Sequence, residues 1–542
     1  MPRLKTYQYL IFPVIVLTAL LSVRLPGGQA TRYASKKIKP LSASQLTNKE
    51  PTGKDSLSKQ IGDPALAQEI DRALDKSDLR QARWGVFVMT LNDGRVLYSR
   101  NGSELFTPAS NMKVYTTAVA LDVLGANYRW RTSVYAEKPP KSNGVVEGDL
   151  ILYGRGAPDL ISDRKGNAPS LADLANQIYQ RGVREVRGNV VGDSSYFRGE
   201  VYGLGWQWND LQWYYGAEPS ALTIDANAVN LVIAPGRKLG ESAAVKFERA
   251  SDYMHITNNT TTADRSTITT IGINRGMSDN DVRVWGQFPI GGRSFGAFLS
   301  VHNPALWAAA LLKQALVARG IRVDGESRSR DFRVADNDKF DPTNAIELAS
   351  LTSETLGEAV RETNKQSNNL YAELILRTLG KEKGGLNPAE ESHKRAQLGD
   401  DEVGVSLINS WLKSHDIDAD KLAIRDGSGL SRLDLVTPES TVRLLLAIAK
   451  TSSASVFRDS LPIAGRDGTL GGRLSNVADR VFAKTGTVVY VHSLSGYAVR
   501  DNNEVLAFAI LCNDAVGHSN PVRVIDEIAT LIVGREGTVK EK

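Results

Sequence analysis

The arrangement of strand-like segments along this chain of 542 residues limits its possible folds more than any other feature. Two such segments, 84–90 and 95–98, flank Asn92-Asp93-Gly94, and Asp-Gly between apolar runs is a strong hairpin signal. Three more lie near the other end of the chain, at 480–487, 493–500 and 504–512. Because short connections join antiparallel neighbours, we expect both ends of the chain to share one antiparallel sheet, with the middle inserted.

The middle of the chain differs from its flanks in predicted secondary structure. Residues 138–340 carry many short strand-like runs and only two helical runs, at 170–181 and 305–320. Helical periodicity dominates the flanks, at 108–124, 353–379, 402–415 and 437–450. We therefore expect an α+β fold: an antiparallel sheet with flanking helices from 63–137 and 341–536, a large β-rich insertion at 138–340, and a tail at 537–542.

The N-terminus has the pattern of an export signal. Arg3 and Lys5 precede an apolar stretch at 9–23, and small residues follow at Gly28-Gln29-Ala30. The apolar stretch is shorter than the roughly 20 residues that a membrane-spanning helix needs. Residues 1–30 are therefore expected to be a signal peptide that directs export to the periplasm or cell wall, and an uncleaved membrane anchor is the alternative.

Positive charge is concentrated near the start of the chain. Residues 31–62 are rich in Ser, Lys and Thr without helical or strand periodicity, which predicts a flexible basic tether. Residues 1–60 carry ten Lys and Arg against two acids, so the chain's net charge of +5 leaves −3 for the remainder. The folded part thus lacks the basic surface expected of a nucleic-acid-binding protein.

Ser110 and Lys113 form the first candidate catalytic pair. Pro108 marks the start of an apolar helix, which places Ser110 in the first turn and Lys113 three residues later on the same face. A serine hydroxyl is a weak nucleophile until a base takes its proton, and a buried lysine that loses its charge can be that base. The S-x-x-K pattern alone is weak, since a capped helix with a solvated lysine has the same sequence.

Ser367 and Asn369 form a second polar pair, at the junction between a loop and a predicted helix at 370–379. A hydroxyl and an amide two residues apart can face one cleft from such a junction. Ser278-Asp279-Asn280 matches the same S-x-N pattern, but a strand-like run follows it, and we interpret it as a hairpin turn.

The third pattern is Lys484-Thr485-Gly486-Thr487, on a predicted strand, and K-T-G occurs once in the chain. A lysine and two hydroxyls beside a glycine would let a ligand carboxylate approach the strand edge closely. Taken alone, the segment also fits a surface strand with a glycine bulge.

Together the three patterns are much more specific. S-x-x-K, S-x-N and K-T-G occur in this order in penicillin-binding proteins and serine β-lactamases. Here 257 residues separate Ser110 from Ser367. The chain resembles the class C low-molecular-mass penicillin-binding proteins, the D-alanyl-D-alanine carboxypeptidase/endopeptidase family of the penicillin-binding protein 4 type, whose members carry β-rich domains at this place. Further family-like stretches lie at 153–159, 192–197, 205–210, 426–432 and 465–470.

This resemblance implies a penicillin-binding/β-lactamase-like sheet and catalysis on peptidoglycan stem peptides, with β-lactams as inhibitors and without a cofactor. It implies that Ser110 attacks the carbonyl of the penultimate D-alanine after Lys113 takes its proton. Ser367 would relay a proton to the leaving D-alanine near Lys484, and Asn369 would hold the peptide amide.

The resemblance also implies a substrate-binding set. The backbone N–H groups of Ser110 and Thr487 would form the oxyanion hole, and the hydroxyls of Thr485 and Thr487 would bind the terminal carboxylate. By the same analogy Asp193 and Arg432 would contact the diamino acid of the stem peptide. The implied substrate-binding residues are Thr485, Gly486, Thr487, Asp193 and Arg432.

Other functional patterns fit less well. Gly292-Arg293-Ser294-Phe295-Gly296 matches the nucleophile elbow, but a strand-like run follows where a helix is required. Cys512, the only cysteine, stands in an apolar run and is predicted to be a core residue. No metal-ligand spacing or phosphate loop is present, so no metal is expected. Two alternatives stay open: a β-lactamase-type hydrolase, although E-x-x-L-N is absent, and a non-catalytic peptidoglycan-binding protein.

Overall fold

A computed structural model describes residues 62–534, except 80, 164–165, 167, 249–252, 335–339, 385–397 and 518–519. The predicted signal peptide, the predicted tether up to residue 61 and the predicted tail lie outside the described residues. The helices within the described residues are α1 (Pro64–Lys76), α2 (Met112–Leu124), α3 (Leu171–Gln180), α4 (Pro304–Arg319), α5 (Leu356–Lys365), α6 (Asn369–Lys383), α7 (Asp400–Ser414), α8 (Pro438–Ile448), α9 (Ala454–Ser460) and α10 (Pro521–Val533). In this part of the chain, none of them is both long and apolar enough to span a membrane.

The strands lie at both ends of the described chain and throughout its middle. They are β1 (Arg83–Thr90), β2 (Val96–Arg100), β3 (Arg129–Ala136), β4 (Val145–Val146), β5 (Leu150–Tyr153), β6 (Glu185–Val186), β7 (Val190–Asp193), β8 (Ala228–Ala234), β9 (Ala244–Phe247), β10 (His255–Ala263), β11 (Gly272–Arg275), β12 (Asp281–Pro289), β13 (Phe295–Ser300), β14 (Arg322–Val323), β15 (Ser327–Arg330), β16 (Ile346–Thr355), β17 (Val481–Val488), β18 (Val491–Val499) and β19 (Val505–Asn513).

The two ends of the chain meet in one five-stranded antiparallel sheet, which confirms the expectation from the sequence. Its strand order is β17-β18-β19-β1-β2. Trp84 of β1 lies opposite Cys512 of β19, and Lys484 of β17 lies opposite Ser495 of β18. The K-T-G segment therefore lies on the edge strand of this sheet.

Successive residues of the central strands enter two different cores, because side chains alternate between the two faces of a sheet. Val86 and Val88 of β1 pack with α1 and α10, whereas Phe87 and Met89 pack with α2, α6 and α8. Helix α2 is buried on every side from Met112 to Leu121, as expected of a helix whose apolar residues are spread around its whole circumference. Cys512 is fully buried in the core on the α1 side, which confirms its predicted place.

The middle of the chain builds separate sheets, as predicted for a β-rich insertion. Its largest sheet has the order β15-β7-β5-β3-β16, and α3 and α4 cover one face of it. Three smaller sheets follow the orders β10-β12-β11, β13-β8-β9 and β14-β6-β4. The chain enters the largest sheet through β3 and leaves it through the antiparallel partner of β3, β16. Both strands lie outside 138–340, so the domain boundaries stay predictions from the sequence.

Local expectations within the insertion are tested by its strands. Ser278-Asp279-Asn280 connects β11 to its antiparallel neighbour β12, which confirms the hairpin turn. Ser294 is followed at once by β13, so the helix that a nucleophile elbow requires is missing at this place. Among the strand-like runs of this region, the sequence predicts one at 267–273. The strand begins only at Gly272, because Thr267 N–H donates to Asp264 O in a turn.

Candidate active site

Ser110 lies in a short 3-10 turn, Ala109–Asn111, that leads directly into α2. Ala109 adopts a φ of 49°, a left-handed conformation that costs a non-glycine residue about 1 kcal/mol or more. The surrounding contacts must therefore hold this turn in place. The turn presents Ser110 at the N-terminal end of a helix, where developing negative charge is favoured.

Asn111 supplies much of this support. Its side-chain Nδ2 donates to Ser493 Oγ at 2.6 Å and to the backbone oxygen of Lys484 at 3.2 Å. Ser493 Oγ in turn donates to Pro108 O at 2.7 Å. The nucleophile turn is thus tied to β17 and β18, although nothing in the sequence marks Asn111 or Ser493 for this role.

Lys113 is completely buried beside Ser110. Its Nζ lies 3.0 Å from Ser110 Oγ, 2.6 Å from Asn369 Oδ1 and 2.7 Å from the backbone oxygen of Ser428. The structure therefore brings together residues of the first and second sequence patterns. It adds a backbone carbonyl that the sequence does not reveal.

Burial lowers the pKa of Lys113 to about 7, while the carboxyl groups of Asp426, Glu373 and Asp434 act in the opposite direction. These carboxyls lie in the same buried region, and burial raises the pKa of both Glu373 and Asp434. Desolvation dominates at the amine because a charged group loses more hydration than its neutral form. A neutral Lys113, able to take a proton from Ser110, is therefore accessible near neutral pH.

Ser367 and Lys484 form a second contact between the sequence patterns. Ser367 adopts a φ of 60° in the connection between α5 and α6, and Lys484 Nζ donates to its Oγ at 2.8 Å. Lys484 Nζ also donates to the backbone oxygen of Thr485 at 2.7 Å. Burial, together with the charge of Lys113, holds the pKa of Lys484 well below its ordinary value. Asn368 lies between Ser367 and Asn369, and its side chain caps α6 by accepting a hydrogen bond from Tyr371 N–H.

Gly486 allows β17 to lie directly against the nucleophile turn. A Cβ atom at this position would lie 2.2 Å from Ser493 Oγ, 2.8 Å from Pro108 O and 3.0 Å from Ser110 N. Real Cβ atoms do not approach other atoms so closely, so glycine is required here. On either side, Thr485 Oγ1 lies 2.7 Å from Thr469 Oγ1, and Thr487 is exposed.

Arg432 lies beside the same hairpin, since its Nη1 donates to Val489 O at 2.9 Å. Asp193 is placed differently: it is fully buried on β7, accepts from Ser195 N–H at 2.9 Å and forms an ion pair with Arg330 at 3.6 Å. These contacts of Asp193 all lie within the insertion. The two residues that the resemblance assigned to the diamino acid thus have very different surroundings.

The insertion reaches the site through Tyr215. Its backbone oxygen accepts from Asn369 Nδ2 at 2.8 Å, and its hydroxyl donates to Asp210 Oδ1 at 3.2 Å. Burial raises the pKa of Asp210, and the Tyr215 hydroxyl and the positive charge of Arg432 oppose this rise. Asp210 is thus a carboxyl group close to Tyr215 and Arg432 that the sequence analysis did not single out.

No group of three or more His, Cys, Asp or Glu side chains within the described ranges is arranged to hold a metal ion. The polar side chains of the site are instead two lysines, two serines and an asparagine, and Lys113 is the one whose contact with Ser110 Oγ is direct. This donor set is suited to proton transfer and acyl transfer at a serine.

The fold and the site together define a serine hydrolase of the penicillin-binding class. The chain belongs to the D-Ala-D-Ala carboxypeptidase 3 (S13) family, whose model matches residues 66–533. It is 33% identical over 525 residues to a D-alanyl-D-alanine carboxypeptidase of Actinomadura sp., a match that covers 94% of this chain and 92% of the relative. The family and the fold class expected from the sequence are confirmed.

Solved structures agree on the fold. The crystal structure of penicillin binding protein 4 from Haemophilus influenzae matches with a TM-score of 0.72 and 24% identity, over 85% of this chain and 97% of that one. A second crystal structure of the Haemophilus influenzae protein, in complex with a β-lactam, matches with a TM-score of 0.66 and 22% identity, over 85% and 97%.

The lowered pKa of Lys113 predicts how acylation depends on pH. The neutral amine predominates above its pKa of about 7, and only this form can take the Ser110 proton. We expect the second-order rate of acylation by a fluorescent penicillin to rise with pH through a midpoint near 7. The measurement is a stopped-flow series from about pH 5 to about pH 9, with circular dichroism showing that the protein stays folded. A rate that is flat or falls through neutral pH contradicts this role for Lys113.

Gly486→Ala is expected to lower the acylation rate by roughly tenfold or more, about 1.4 kcal/mol in the barrier, because the added methyl group pushes β17 away from Ser110. Gly472→Ala is the matched control, since a Cβ there meets no atom within 4 Å. The rates of both variants are measured with the same fluorescent penicillin. Equal rates for G486A and G472A would show that the close approach of β17 is not needed.

Proposed function

We propose that this protein is a penicillin-sensitive serine D-Ala-D-Ala carboxypeptidase that also cleaves peptidoglycan cross-links as a DD-endopeptidase. The observation that carries the proposal is the contact between Ser110 Oγ and the Nζ of Lys113, whose side chain is completely buried. The name of the Actinomadura relative supports the carboxypeptidase activity. The endopeptidase activity and the location in the periplasm or cell wall rest on the resemblance and on the predicted signal peptide.

Acylation begins when neutral Lys113 takes the proton of Ser110 Oγ. The oxygen attacks the carbonyl carbon of the penultimate D-alanine, and the backbone N–H groups of Ser110 and Thr487 stabilise the oxyanion. The C–N bond to the terminal D-alanine then breaks. Its nitrogen receives a proton through Ser367, which Lys484 contacts at 2.8 Å, and Lys113 gives up the proton that it took, so the amine is neutral again for deacylation.

The remaining groups hold the substrate. Asn369 binds the peptide amide, and the hydroxyls of Thr485 and Thr487 bind the terminal carboxylate on the strand that Gly486 keeps close. Deacylation repeats the chemistry with water as the nucleophile and releases the shortened peptide. In the endopeptidase reaction, the leaving amine belongs to the cross-linked neighbouring peptide instead of a free D-alanine.

β-Lactams are proposed as inhibitors that acylate Ser110. The β-lactam complex of the Haemophilus influenzae protein of the same fold supports this proposal. Two alternative functions make different predictions for the same reagent. A β-lactamase would turn the antibiotic over without accumulating an adduct, and a non-catalytic peptidoglycan-binding protein would form none.

Ser110→Ala is expected to abolish both D-alanine release and the covalent adduct with benzylpenicillin, because no other nucleophile replaces Oγ. Its stability should stay within about 1 kcal/mol of the wild type, since Ser110 is only half-buried. The measurements are D-alanine release from a stem pentapeptide, muropeptide cleavage, and intact mass followed by peptide mapping. Ser475→Ala, on an exposed turn, is the matched control. Persistent D-alanine release in S110A refutes the assignment.

We further propose that Arg432 and Asp193 contact the diamino acid of the stem peptide. The position of Arg432 beside Val489, two residues beyond Thr487, supports its part. The proposal for Asp193 rests on the resemblance alone, and Asp210 is the carboxyl group that lies near Arg432.

Arg432→Ala and Asp193→Asn are each expected to lower kcat/KM for a diaminopimelate-containing peptide by about tenfold, the effect of one charged hydrogen bond. Acylation by benzylpenicillin, which lacks the diamino acid, should stay near the wild-type rate. Asp210→Asn is measured in parallel. If kcat/KM falls in D210N and not in D193N, Asp210 and not Asp193 contacts the diamino acid. If kcat/KM is unchanged in R432A, Arg432 does not contact it.

A further inference from the structure

The hydrogen bonds of Lys113 define the direction of its lone pair. A neutral amine has two N–H donors and one lone pair in a tetrahedral arrangement. Asn369 Oδ1 and the backbone oxygen of Ser428 accept hydrogen bonds from Nζ at 2.6 Å and 2.7 Å. With both N–H groups engaged, the lone pair is left facing Ser110 Oγ at 3.0 Å. The orientation of the base therefore depends on how firmly these two acceptors are held.

The first acceptor is held by the insertion. Asn369 Nδ2 donates to the backbone oxygen of Tyr215 at 2.8 Å. Since a carbonyl can only accept, this contact identifies the amide nitrogen and leaves Oδ1 facing Lys113.

The second acceptor is held by Glu373. Its Oε1 accepts from Gly427 N–H at 3.1 Å and from Ser428 N–H at 2.8 Å. These hydrogen bonds fix the two peptide groups that come directly before the Ser428 carbonyl, which binds Lys113. Glu373 follows Asn369 by four residues on α6, and such residues share one face of a helix. One turn of α6 therefore supplies one acceptor directly and positions the other.

The loop that carries Ser428 is also fixed at its ends. Asp426 accepts from Gly429 N–H and from Ser431 N–H, both at 2.7 Å. Gly429 lies so close to the nucleophile turn that a Cβ would fall 1.8 Å from Ala109 O. A displacement of this loop would therefore move groups that contact Lys113 and the turn that carries Ser110.

We propose that Glu373 is a positioning residue of the reaction: it holds the Ser428 carbonyl so that the Lys113 lone pair points at Ser110 Oγ. This inference rests on the proposed function, because it assigns Glu373 to the proton transfer that Lys113 performs. The property of Glu373 that this role requires is a side chain long enough for its oxygen to accept from both N–H groups. Its negative charge is not required for this role.

Two substitutions separate reach from charge. Glu373→Gln keeps the length and an acceptor oxygen but cannot ionise, whereas Glu373→Asp keeps an ionisable carboxyl group and shortens the side chain by one methylene. We expect E373Q to retain kcat for D-alanine release within about threefold, and E373D to lose about tenfold or more with KM unchanged, since a displacement near 1 Å costs catalysis heavily. Acylation by benzylpenicillin should follow kcat.

Asp400→Asn is the matched control for a change at a buried carboxyl group that packs near α6. Asp400 accepts from the backbone N–H of Arg198 at 2.7 Å, away from Lys113. We expect D400N to lower the melting temperature while kcat stays near the wild-type value. The same melting experiment on E373D and E373Q separates a loss of stability from a loss of kcat.

The outcomes distinguish this inference from the proposed function. Wild-type protein that forms no adduct on Ser110 overturns the proposed function itself. If the wild type is acylated and E373D reacts at the wild-type rate, only the positioning role is overturned. A loss in E373Q as large as that in E373D also overturns it, because a carboxyl group would then be needed in addition to the length of the side chain. If E373D does not fold, wild-type kcat in E373Q supports the inference and a tenfold loss in E373Q overturns it.

Discussion

The chemistry of this site depends on the burial of one amine. Lys113 has no exposed surface, and its contacts are a hydroxyl, an amide oxygen and a backbone carbonyl, all uncharged. The carboxyl groups of Glu373 and Asp426 lie behind this layer and are engaged by backbone N–H groups. A carboxylate in direct contact would stabilise the ammonium form and suppress its action as a base. Neutral acceptors instead hold the amine without trapping its proton.

The rest of the fold serves to deliver distant segments to this amine. Helix α2 is buried on every side, so elements on several sides of it can contribute to one site. The sheet brings β17 against the nucleophile turn, and the turn before α6 brings Ser367 and Asn369 from the other side. The absence of a side chain at Gly486 is what makes the approach of β17 possible.

The insertion is part of the site. The backbone oxygen of Tyr215 orients Asn369, and Trp206 Nε1–H donates to Asp426 Oδ2 at 2.8 Å. Each contact joins a residue of the insertion to the groups that surround Lys113. The insertion therefore supports the orientation of the base.

By itself, the sequence determined the sheet shared by the two chain ends, the β-rich middle and the three motifs. Apolar alternation, turn residues and motif spacing depend only on the order of residue types along the chain. Only the tertiary structure decided how the base is held. The contacts of Lys113 with Asn369 and Ser428 span 256 and 315 residues. Backbone carbonyls such as those of Tyr215 and Ser428 occur at every residue, so no sequence pattern distinguishes them. Glu373 looks like any other residue of its helix until folding places it against Ser428 N–H.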